Sequence, residues 1–481
     1  MKILFTVHQF FPDFASGTEV LTLACAQELR ARGHDVAVLT GFPAAREPMA
    51  DEDRFDRYEY QGVTVWRFHY SPAAISWKTN AQEAKYNNST VAHFVWRLLD
   101  QYNLDLVHFF HFHQLSASMV DVCMDARIPT VYTPTDFWAI CPTCQLKLPD
   151  GGLCQGPRLL GANCVRHVAG ISLGQRLIQR TPMVAFAGAL AVMQLGRLPA
   201  RWMGILIKLC LRGRYRGSQR FDAYAGFMSA LGRRARFLRK RINAIDKLAV
   251  PSQIMRDMLA ANGIKRDNMV LCRYGIDLSS APLSRAVRSM RGRNPRLRAG
   301  FIGTLCDHKG AHVLVEALKD LRDLDLDVRI YGRLEDFPDY VAELRTSCLD
   351  DPRVRFLGTF PNARIFDILA DLDVLIVPSV WYENTPLVIL SAQASGCPVI
   401  ASGLGGMAEA VADGDDGLLF PVGNAQALAG CIARLVQEPG LLEKLSSGCR
   451  APRSIQDYVD DLEQVYKELS ARHVSPGEVS S

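Results

Sequence analysis

Short apolar runs and amphipathic stretches alternate along most of the chain. Residues 2–8 (KILFTVH) form an apolar run, and residues 19–32 follow with apolar positions at helical spacing until Gly33. The run DVAVLTG comes next. This order predicts a strand, a helix that the glycine terminates, and a second strand. Strand, helix and strand form one βαβ unit, the building block of a parallel sheet.

The alternation of strands and helices forms two series along the chain, and the second series begins near residue 297. In the first series, further strands are predicted at 63–68, 106–110, 130–133 and 247–250. The second series places strands in LRAGFIGT, VRIYG, VRFLG, VLIVPS, PVIAS and GLLF, with helices at 311–321, 340–348 and 385–395. The pattern predicts an α/β protein with two doubly wound domains of similar size, followed by a terminal helix.

Length and composition agree with two domains. A chain of 481 residues is too long for one hydrophobic core. Its 48% hydrophobic and 22% charged residues are usual for a soluble protein and exclude a disordered or polytopic membrane protein. We predict an N-terminal domain in two parts (1–167 and, with the interdomain linker, 246–290), a basic helical insertion (168–245), a C-terminal domain (291–450), a terminal helix (451–472) and a disordered tail (473–481).

The start of the chain and its cysteines predict a cytoplasmic protein. The sequence MKILFTVHQFFPD has neither the long apolar core nor the small-residue cleavage site of a signal peptide. The 13 cysteines are mostly scattered singly through apolar stretches, which is typical of reduced thiols.

Positive charge is concentrated in one segment. Residues 168–245 carry fifteen Arg and Lys residues against one acid, Asp222. The apolar stretch within this segment, residues 183–195, is shorter than the roughly 20 residues that span a bilayer. This composition predicts that residues 176–241 bind an anionic membrane surface, peripherally on the inner face of the plasma membrane. The alternative is a helical hairpin packed on the first domain. No nucleic-acid partner is expected, because no nucleic-acid-binding motif accompanies the basic run.

The most specific stretch is 378–402, PSVWYENTPLVILSAQASGCPVIAS. Thr385 suits a helix N-cap and Pro386 a first helical position, so free backbone amides there can bind a diphosphate at the strand ends of an open sheet. The stretch resembles the family-4 retaining glycosyltransferases of the GT-B fold, the glycosyl transferases group 1. That resemblance implies two facing Rossmann-like domains with a deep interdomain cleft.

The resemblance also implies where a nucleotide-sugar donor, a UDP- or GDP-sugar, binds. Glu383 would contact the donor sugar, and Lys309, in FIGTLCDHKG, would meet a phosphate. Thr304 replaces an arginine that is common in the family, and Ser391 replaces a glutamate that usually holds the ribose. The further donor-binding candidates are Gly303, Thr304, Asn384, Thr385, Pro386, Leu387 and Ser391, with Arg273 and Arg333 as compensating cations.

Other residues are expected on the acceptor side. Gly17 and Thr18 lie in the first strand-to-helix loop, which in the family lies beside the acceptor. Most members carry a His-Asp pair where this chain has Thr135 and Asp136. His111, in HFFHFH, is the candidate to replace the missing histidine, although alternating His and Phe also mark a strand with one polar face. The predicted catalytic residues are Glu383, Asp136 and His111.

Four cysteines form a candidate structural zinc site. Cys141, Cys144, Cys154 and Cys164 lie close together in the chain, between Pro and Gly turns. The alternative is a loop of reduced cysteines. No cofactor or catalytic metal is expected, because the enzymes that the chain resembles neutralise the diphosphate with helix amides and basic side chains.

These features together predict a hexosyltransferase that needs no metal. It would transfer a sugar to a lipid-linked or polysaccharide acceptor in cell-surface glycan biosynthesis, with retention of configuration. The alternative is a non-catalytic GT-B-like partner or scaffold of a polysaccharide assembly system. Thr135, Thr304 and Ser391 favour that alternative, because each departs from the family pattern.

Overall fold

The computed structural model describes residues 1–43, 54–70, 81–148, 150–158, 161, 163–164, 167–168, 218–282, 287–289, 296–348 and 351–473. Internal contacts divide the chain into two units. The first unit comprises Met1–Pro251, Met255–Cys272 and Val459–Ser481, and the second comprises Ser252–Ile254 and Arg273–Tyr458.

The strands fall into one sheet in each unit. Those of the first unit are β1 Lys2–Val7, β2 Asp35–Pro43, β3 Phe55–Tyr60, β4 Val63–Tyr70, β5 Leu106–Phe109, β6 Thr130–Tyr132, β7 Lys247–Val250 and β8 Met269–Leu271. Those of the second unit are β9 Leu297–Ile302, β10 Leu326–Tyr331, β11 Val354–Gly358, β12 Val374–Val377, β13 Val399–Ser402 and β14 Gly417–Phe420.

The α-helices connect the strands and close the chain. They are α1 Gly17–Ala31, α2 Ala81–Ala84, α3 Ser89–Tyr102, α4 Met119–Asp125, α5 Ser218–Ile242, α6 Gln253–Ala261, α7 Ala311–Ala317, α8 Pro338–Ser347, α9 Ile365–Ala370, α10 Leu387–Ala394, α11 Gly405–Ala410, α12 Ala425–Gln437, α13 Leu441–Gly448 and α14 Ile455–His473. Capping hydrogen bonds stabilise the N-termini of some helices. In α1 the Ser16 backbone N–H donates to Glu19 Oε2 at 2.8 Å, and in α12 Asn424 Oδ1 accepts the Ala427 N–H at 2.9 Å.

The first sheet has the order β3-β4-β2-β1-β5-β6-β7-β8. All neighbouring strands are parallel except the β3–β4 hairpin. The chain moves outward in one direction from β1 through β2 and β4, then returns to place β5 on the other side of β1. The boundary between β1 and β5 is therefore the switch point of the sheet, where open α/β sheets bind ligands beyond their carboxyl ends.

The second sheet repeats this plan. Its order is β11-β10-β9-β12-β13-β14, with every pair parallel. Counted within the unit, this is the order 3-2-1-4-5-6 of a doubly wound fold, and its switch point lies between β9 and β12. All four residues of β12 are buried, as expected for a central strand covered on both faces.

The predicted strands are confirmed, with some omissions. The pattern missed β3 and β8; β3 is partly exposed, and β8 has only three residues. The predicted helix at 385–395 begins at Leu387 with Pro386 as its N-cap, which corrects the assignment of Thr385 as the N-cap. The terminal helix is confirmed, and it extends to His473.

The basic insertion is described only in part. Residues 169–217, including the apolar stretch 183–195, lie outside the described residues. From residue 218 the chain forms α5, whose later part packs within the first unit through buried side chains such as Leu238 and Ile242. Arg233 and Arg241 find acidic partners elsewhere in the unit, Glu83 and Asp121. Within the described part of the chain, no helix combines the length and apolar character needed to span a membrane.

Candidate functional site

The loops that follow β9 and β12 meet at the switch point of the second sheet. Gly310 permits their close approach, because its φ is +76° and a Cβ at this position would lie 1.9 Å from Pro378 O. The backbone carbonyl of His308 also accepts the Val380 N–H at 2.9 Å. The two loops are therefore held together through their backbones where a ligand of such a sheet binds.

An ion pair joins the same two loops. Lys309 Nζ lies 2.7 Å from Glu383 Oε1. That oxygen also accepts the Ser379 hydroxyl and the Trp381 indole N–H, each at 2.8 Å. The lysine nitrogen lies 5.3 Å from the centre of the Trp381 ring. The fold thus brings together two predicted site residues, and it adds Ser379 and Trp381, which the sequence pattern did not reveal.

The surroundings of Glu383 favour its charged form. Burial opposes ionisation, but Lys309, Ser379 and Trp381 outweigh it and lower the pKa of Glu383. The Glu383 side chain is 8% exposed, whereas that of Lys309 is 27% exposed. The cation can therefore be reached by a ligand while the carboxylate stays fixed behind it.

The start of α10 lies next to this pair. The Gly406 N–H donates to the Glu383 backbone carbonyl at 2.8 Å, and a Cβ at Gly406 would lie 1.2 Å from Asn384 O. Within the second unit, Asn384 accepts the Ser252 hydroxyl at 2.7 Å and donates to Tyr274 Oη at 3.2 Å. The residues that lead into α10 are thus held by backbone and side-chain contacts, which orients the first amides of the helix.

The remaining donor-side candidates lie outside this cluster of contacts. The Gly303 N–H donates to Tyr331 O at 3.1 Å, which continues the strand pairing between β9 and β10. Arg333 is exposed and lies 3.9 Å from Asp336. Arg273 is exposed, and Ser391 is buried within α10, where its hydroxyl donates to Leu387 O at 3.2 Å. Thr304 is half-buried in the loop after β9.

A second polar cluster lies at the switch point of the first sheet. His111 follows β5 and Asp136 follows β6, so both lie at the carboxyl edge. His111 Nε2 lies 3.0 Å from Asp136 Oδ2, and the Trp138 N–H donates to Asp136 Oδ1 at 2.7 Å. Burial opposes the charged form of Asp136, but His111 and Trp138 outweigh it and lower its pKa. The fold thus brings together the two predicted catalytic residues of this unit.

The hydrogen bonds of His111 determine its tautomer. Its Nδ1 accepts the His113 backbone N–H at 2.9 Å, so the proton of the neutral ring lies on Nε2 and points at Asp136. His108, which lies within β5, has a different role. It is fully buried between Tyr466 Oη at 2.6 Å and the Thr133 hydroxyl at 2.8 Å, and burial lowers its pKa to about 3.

The structure corrects the zinc prediction. Within the described ranges, the single group of three potential metal ligands with donor atoms within 4.8 Å of one another is His111, Asp136 and Cys144. Cys141 Sγ contacts the Thr143 hydroxyl instead, and Cys154 Sγ contacts the backbone of Gly156. The predicted cysteine set of Cys141, Cys144, Cys154 and Cys164 therefore does not form such a group in this structure.

The group around Asp136 is connected by hydrogen bonds. A metal ion on His111 Nε2 would have to replace the proton directed at Asp136, while Nδ1 already accepts a backbone N–H. Metal-bound histidines instead donate a proton from their second nitrogen. Burial, reinforced by Asp136, raises the pKa of the Cys144 thiol well above its usual value. These residues fit a hydrogen-bonded group better than a metal site.

The sequence pattern missed His8 at this edge, whereas Glu19 belongs, with Gly17 and Thr18, to the strand-to-helix loop that was expected beside the acceptor. His8 directly follows β1, and its ring centre lies 4.4 Å from that of His111. Glu19 lies in the first turn of α1, after Gly17 and Thr18, and it is fully buried with Oε1 3.5 Å from His8 Nε2. The rule that ligand-binding residues follow central strands would have indicated His8, once β1 is known to lie beside β5.

Each half of the chain matches a family of glycosyltransferases. Residues 15–152 match the family described as Glycosyltransferase Family 4, and residues 296–438 match Glycosyl transferases group 1. A D-inositol 3-phosphate glycosyltransferase of Rhodococcus jostii is 32% identical over 42% of this chain and 49% of its own length. The amylovoran biosynthesis glycosyltransferase AmsK of Erwinia amylovora is 28% identical over 41% of this chain and 49% of its own length. The chain thus spans about half the length of these curated relatives.

Solved structures share the fold over nearly the whole chain. The sucrose-phosphate synthase of Thermosynechococcus elongatus has a TM-score of 0.63 at 17% identity and covers 98% of this chain and 99% of its own. Anabaena HepE in complex with UDP-glucose has a TM-score of 0.60 at 17% identity, with coverage of 97% and 100%. The two family matches identify residues 15–152 and 296–438 as parts of a family-4, group 1 glycosyltransferase, and nearly the whole chain shares the two-domain Rossmann-like GT-B fold.

Proposed function

We propose that this protein is a glycosyltransferase that transfers a hexose from a nucleotide-sugar donor. The observation that carries the proposal is the pair of Lys309 and Glu383 at the switch point of the second sheet. Donor binding at such a point needs a cation for the diphosphate and a fixed polar group for the sugar. The accessible lysine and the buried, anchored carboxylate meet these two requirements.

The diphosphate would be neutralised by protein groups alone. Lys309 supplies a positive charge, and the first free amides of α10 supply hydrogen-bond donors with the positive end of the helix dipole. This arrangement supports a reaction that needs no catalytic metal. A UDP-sugar is the first donor to test, because a solved neighbour of the same fold holds UDP-glucose, and a GDP-sugar is the second.

We place the acceptor with the first unit, at Asp136 and His111. A lipid-linked or growing polysaccharide acceptor in cell-surface glycan synthesis is supported by the relative named for amylovoran biosynthesis. Transfer would proceed with retention, with a donor phosphate oxygen assisting the acceptor hydroxyl while the protein positions both. Gly17 and Thr18, at the start of α1, border the same edge of the sheet.

We further propose that the protein works in the cytoplasm at an anionic membrane surface. The described end of α5 supports this, because Arg236, Arg239 and Lys240 are exposed on it. Basic side chains near an anionic surface each contribute about 1 kcal/mol to binding. The charge excess of residues 168–245 extends the same basic character to the segment before α5.

Donor binding is tested by ligand-observed NMR with UDP-, GDP-, ADP- and TDP-sugars. Selective binding is expected, and Lys309→Ala should weaken it about tenfold to a hundredfold, the value of a hydrogen bond to a charged group. Lys319→Ala is the matched control, because Lys319 lies in the same unit but is exposed and paired with Glu316. Its donor affinity should equal that of the wild type.

Two outcomes would contradict the proposal. If no nucleotide sugar binds at millimolar concentration, the protein is better explained as a non-catalytic partner of a polysaccharide assembly, as Thr304 and Ser391 suggest. If a donor binds equally well to wild type and Lys309→Ala, the donor site lies elsewhere. Detection of a transferred or hydrolysed sugar in the same samples separates catalysis from binding alone.

A further inference from the structure

His8 and Glu19 form a pair that the proposed function does not yet use. Both lie at the switch point of the first sheet, His8 after β1 and Glu19 in the first turn of α1. Glu19 Oε2 accepts the Ser16 backbone N–H at 2.8 Å and also the Ser16 hydroxyl. Its other oxygen, Oε1, faces His8 Nε2 at 3.5 Å, which is longer than a hydrogen bond.

Two buried polar atoms of this pair lack a hydrogen-bond partner in the described part of the chain. Among the described residues, neither His8 Nδ1 nor Glu19 Oε1 has a hydrogen-bond partner, although both atoms are buried. Buried polar groups are paired in the great majority of native structures, so an unpaired group calls for a physical explanation. A bound molecule that hydrogen-bonds to His8 would supply one.

The acid determines which hydrogen bond His8 can make. Burial raises the pKa of Glu19, whereas the hydrogen bonds from Ser16 favour its charged form. In that form its oxygens accept hydrogen bonds and do not donate them, so Glu19 favours the tautomer with the proton on His8 Nε2. His8 Nδ1 then carries a lone pair. Burial, followed by the neighbouring His111, lowers the pKa of His8 well below its ordinary value and keeps this lone pair available.

We propose that His8 Nδ1 accepts a hydrogen bond from a hydroxyl of the acceptor other than the one that reacts, and that Glu19 positions the ring for this contact. The inference rests on the proposed glycosyltransferase function and adds a substrate-contacting residue to it. His8 lies beside His111, with ring centres 4.4 Å apart, and the side chain of Asp136, 22% exposed, lies 3.0 Å from His111 Nε2. An uncharged hydroxyl, which donates a proton, suits these acceptors, whereas a phosphate oxygen would be repelled by the carboxylates.

The first test reads the tautomer directly and needs no acceptor. Protein labelled with nitrogen-15 at histidine is examined by long-range nitrogen–proton NMR, and the His8 signals are assigned with His8→Asn. We expect the Nε2–H tautomer in the wild type. Glu19→Gln places an amide that can donate toward Nε2, so it should shift His8 toward the Nδ1–H tautomer, as loss of an orienting acid does in a catalytic triad. An Nδ1–H tautomer in the wild type would overturn the proposal.

The second test measures transfer with UDP-sugar as donor and myo-inositol, its 3-phosphate and free monosaccharides as acceptors. His8→Gln and His8→Phe should lower kcat/KM for the acceptor by roughly tenfold. His8→Asn, whose amide can occupy the Nδ1 position, should retain more of it. His34→Asn is the matched control, because His34 also faces a glutamate, Glu463 at 2.7 Å, and its Nδ1 is also buried without a described partner.

Donor binding separates this inference from the proposed function. If nucleotide sugars bind to the second unit and the His8 variants transfer sugar as well as the wild type, the His8 contact is wrong and the transferase proposal stands. If no donor binds, the transferase proposal fails. Far-ultraviolet circular dichroism of each variant identifies any that does not fold, and for those the tautomer of the Glu19→Gln protein decides the question.

Discussion

Lys309 Nζ lies 2.7 Å from Glu383 Oε1, although 74 residues separate the two in the chain. The contact exists because β9 and β12 are neighbours at the point where the strand order reverses. The carboxylate is buried and accepts two further hydrogen bonds, from Ser379 and Trp381. The pair therefore stabilises the second unit and also presents a cation at its ligand-binding edge.

Removal of the lysine should destabilise the second unit. In Lys309→Ala the Glu383 carboxylate keeps only its two neutral donors, so unfolding free energy should fall by about 1–3 kcal/mol. The double variant Lys309→Ala with Glu383→Gln should recover part of the loss, because no buried charge is left unpaired. Urea unfolding at neutral pH measures both. The exposed control Lys319→Ala should stay within about 0.5 kcal/mol of the wild type.

The same carboxylate should make stability depend on pH. The pKa of Glu383 is lowered by folding, so its charged form stabilises the protein above the carboxyl pKa of the unfolded chain. This contribution is lost as the pH falls through the lower folded pKa. The difference in unfolding free energy between wild type and Glu383→Gln should therefore shrink between about pH 7 and about pH 3. A difference that stays constant over this range would contradict the assigned pairing. Glu316→Gln, at an exposed carboxylate, is the control.

Gly310 should tolerate no side chain. A Cβ would lie 1.9 Å from Pro378 O, and the backbone has a φ of +76°. Gly310→Ala should lower stability by more than about 2 kcal/mol, since steric overlap adds to backbone strain. Gly430→Ala, in α12 with nothing within 4 Å of the new Cβ, should raise stability by about 0.5–1 kcal/mol. Thermal unfolding followed by circular dichroism compares the two.

The terminal helix should depend on a buried hydrogen bond. Tyr466 of α14 contacts His108 Nδ1 at 2.6 Å inside the first unit. Tyr466→Phe leaves that nitrogen without its partner, at a cost of about 1–3 kcal/mol. Tyr102→Phe, at a partly exposed tyrosine of α3, should cost little. Equal unfolding midpoints in urea for the two variants would show that the buried contact contributes nothing measurable.

The exposed basic end of α5 predicts membrane binding that depends on lipid charge. Substitution of Arg236, Arg239 and Lys240 by glutamine should weaken binding to vesicles that contain anionic lipid by up to about a hundredfold. Binding to neutral vesicles should not change. Sedimentation with vesicles at low and high salt measures the effect, and equal binding to both lipid types would contradict the electrostatic explanation. Arg364, exposed on the second unit, provides a control substitution to glutamine.

Much of the architecture could be read from local sequence. Apolar runs alternating with amphipathic stretches predicted β1, β2 and the second series of strands, because burial between helices requires continuous apolar strands. The loops before Gly310 and after Pro378 were assigned to ligand binding from the resemblance to family-4 glycosyltransferases, and the strand-end rule supported the second of them. The start of α10 was displaced by two residues, since Pro386 serves as the N-cap and not as a helical residue.

The pairings within the two polar clusters, and the presence of His8, Ser379 and Trp381 in them, were decided only by the tertiary structure. Nothing local to residues 8, 19, 111 and 136 shows that β1 lies between β2 and β5, yet that order alone brings His8 and Glu19 to His111. Cysteine spacing suggested a zinc site, but in the folded loop Cys144 lies beside Asp136 and Cys154 contacts the backbone of Gly156. Periodicity determines which face of each element is buried, because it acts between neighbours in the chain. Strand order and side-chain pairing depend on contacts between distant segments, and these form only when the whole unit packs.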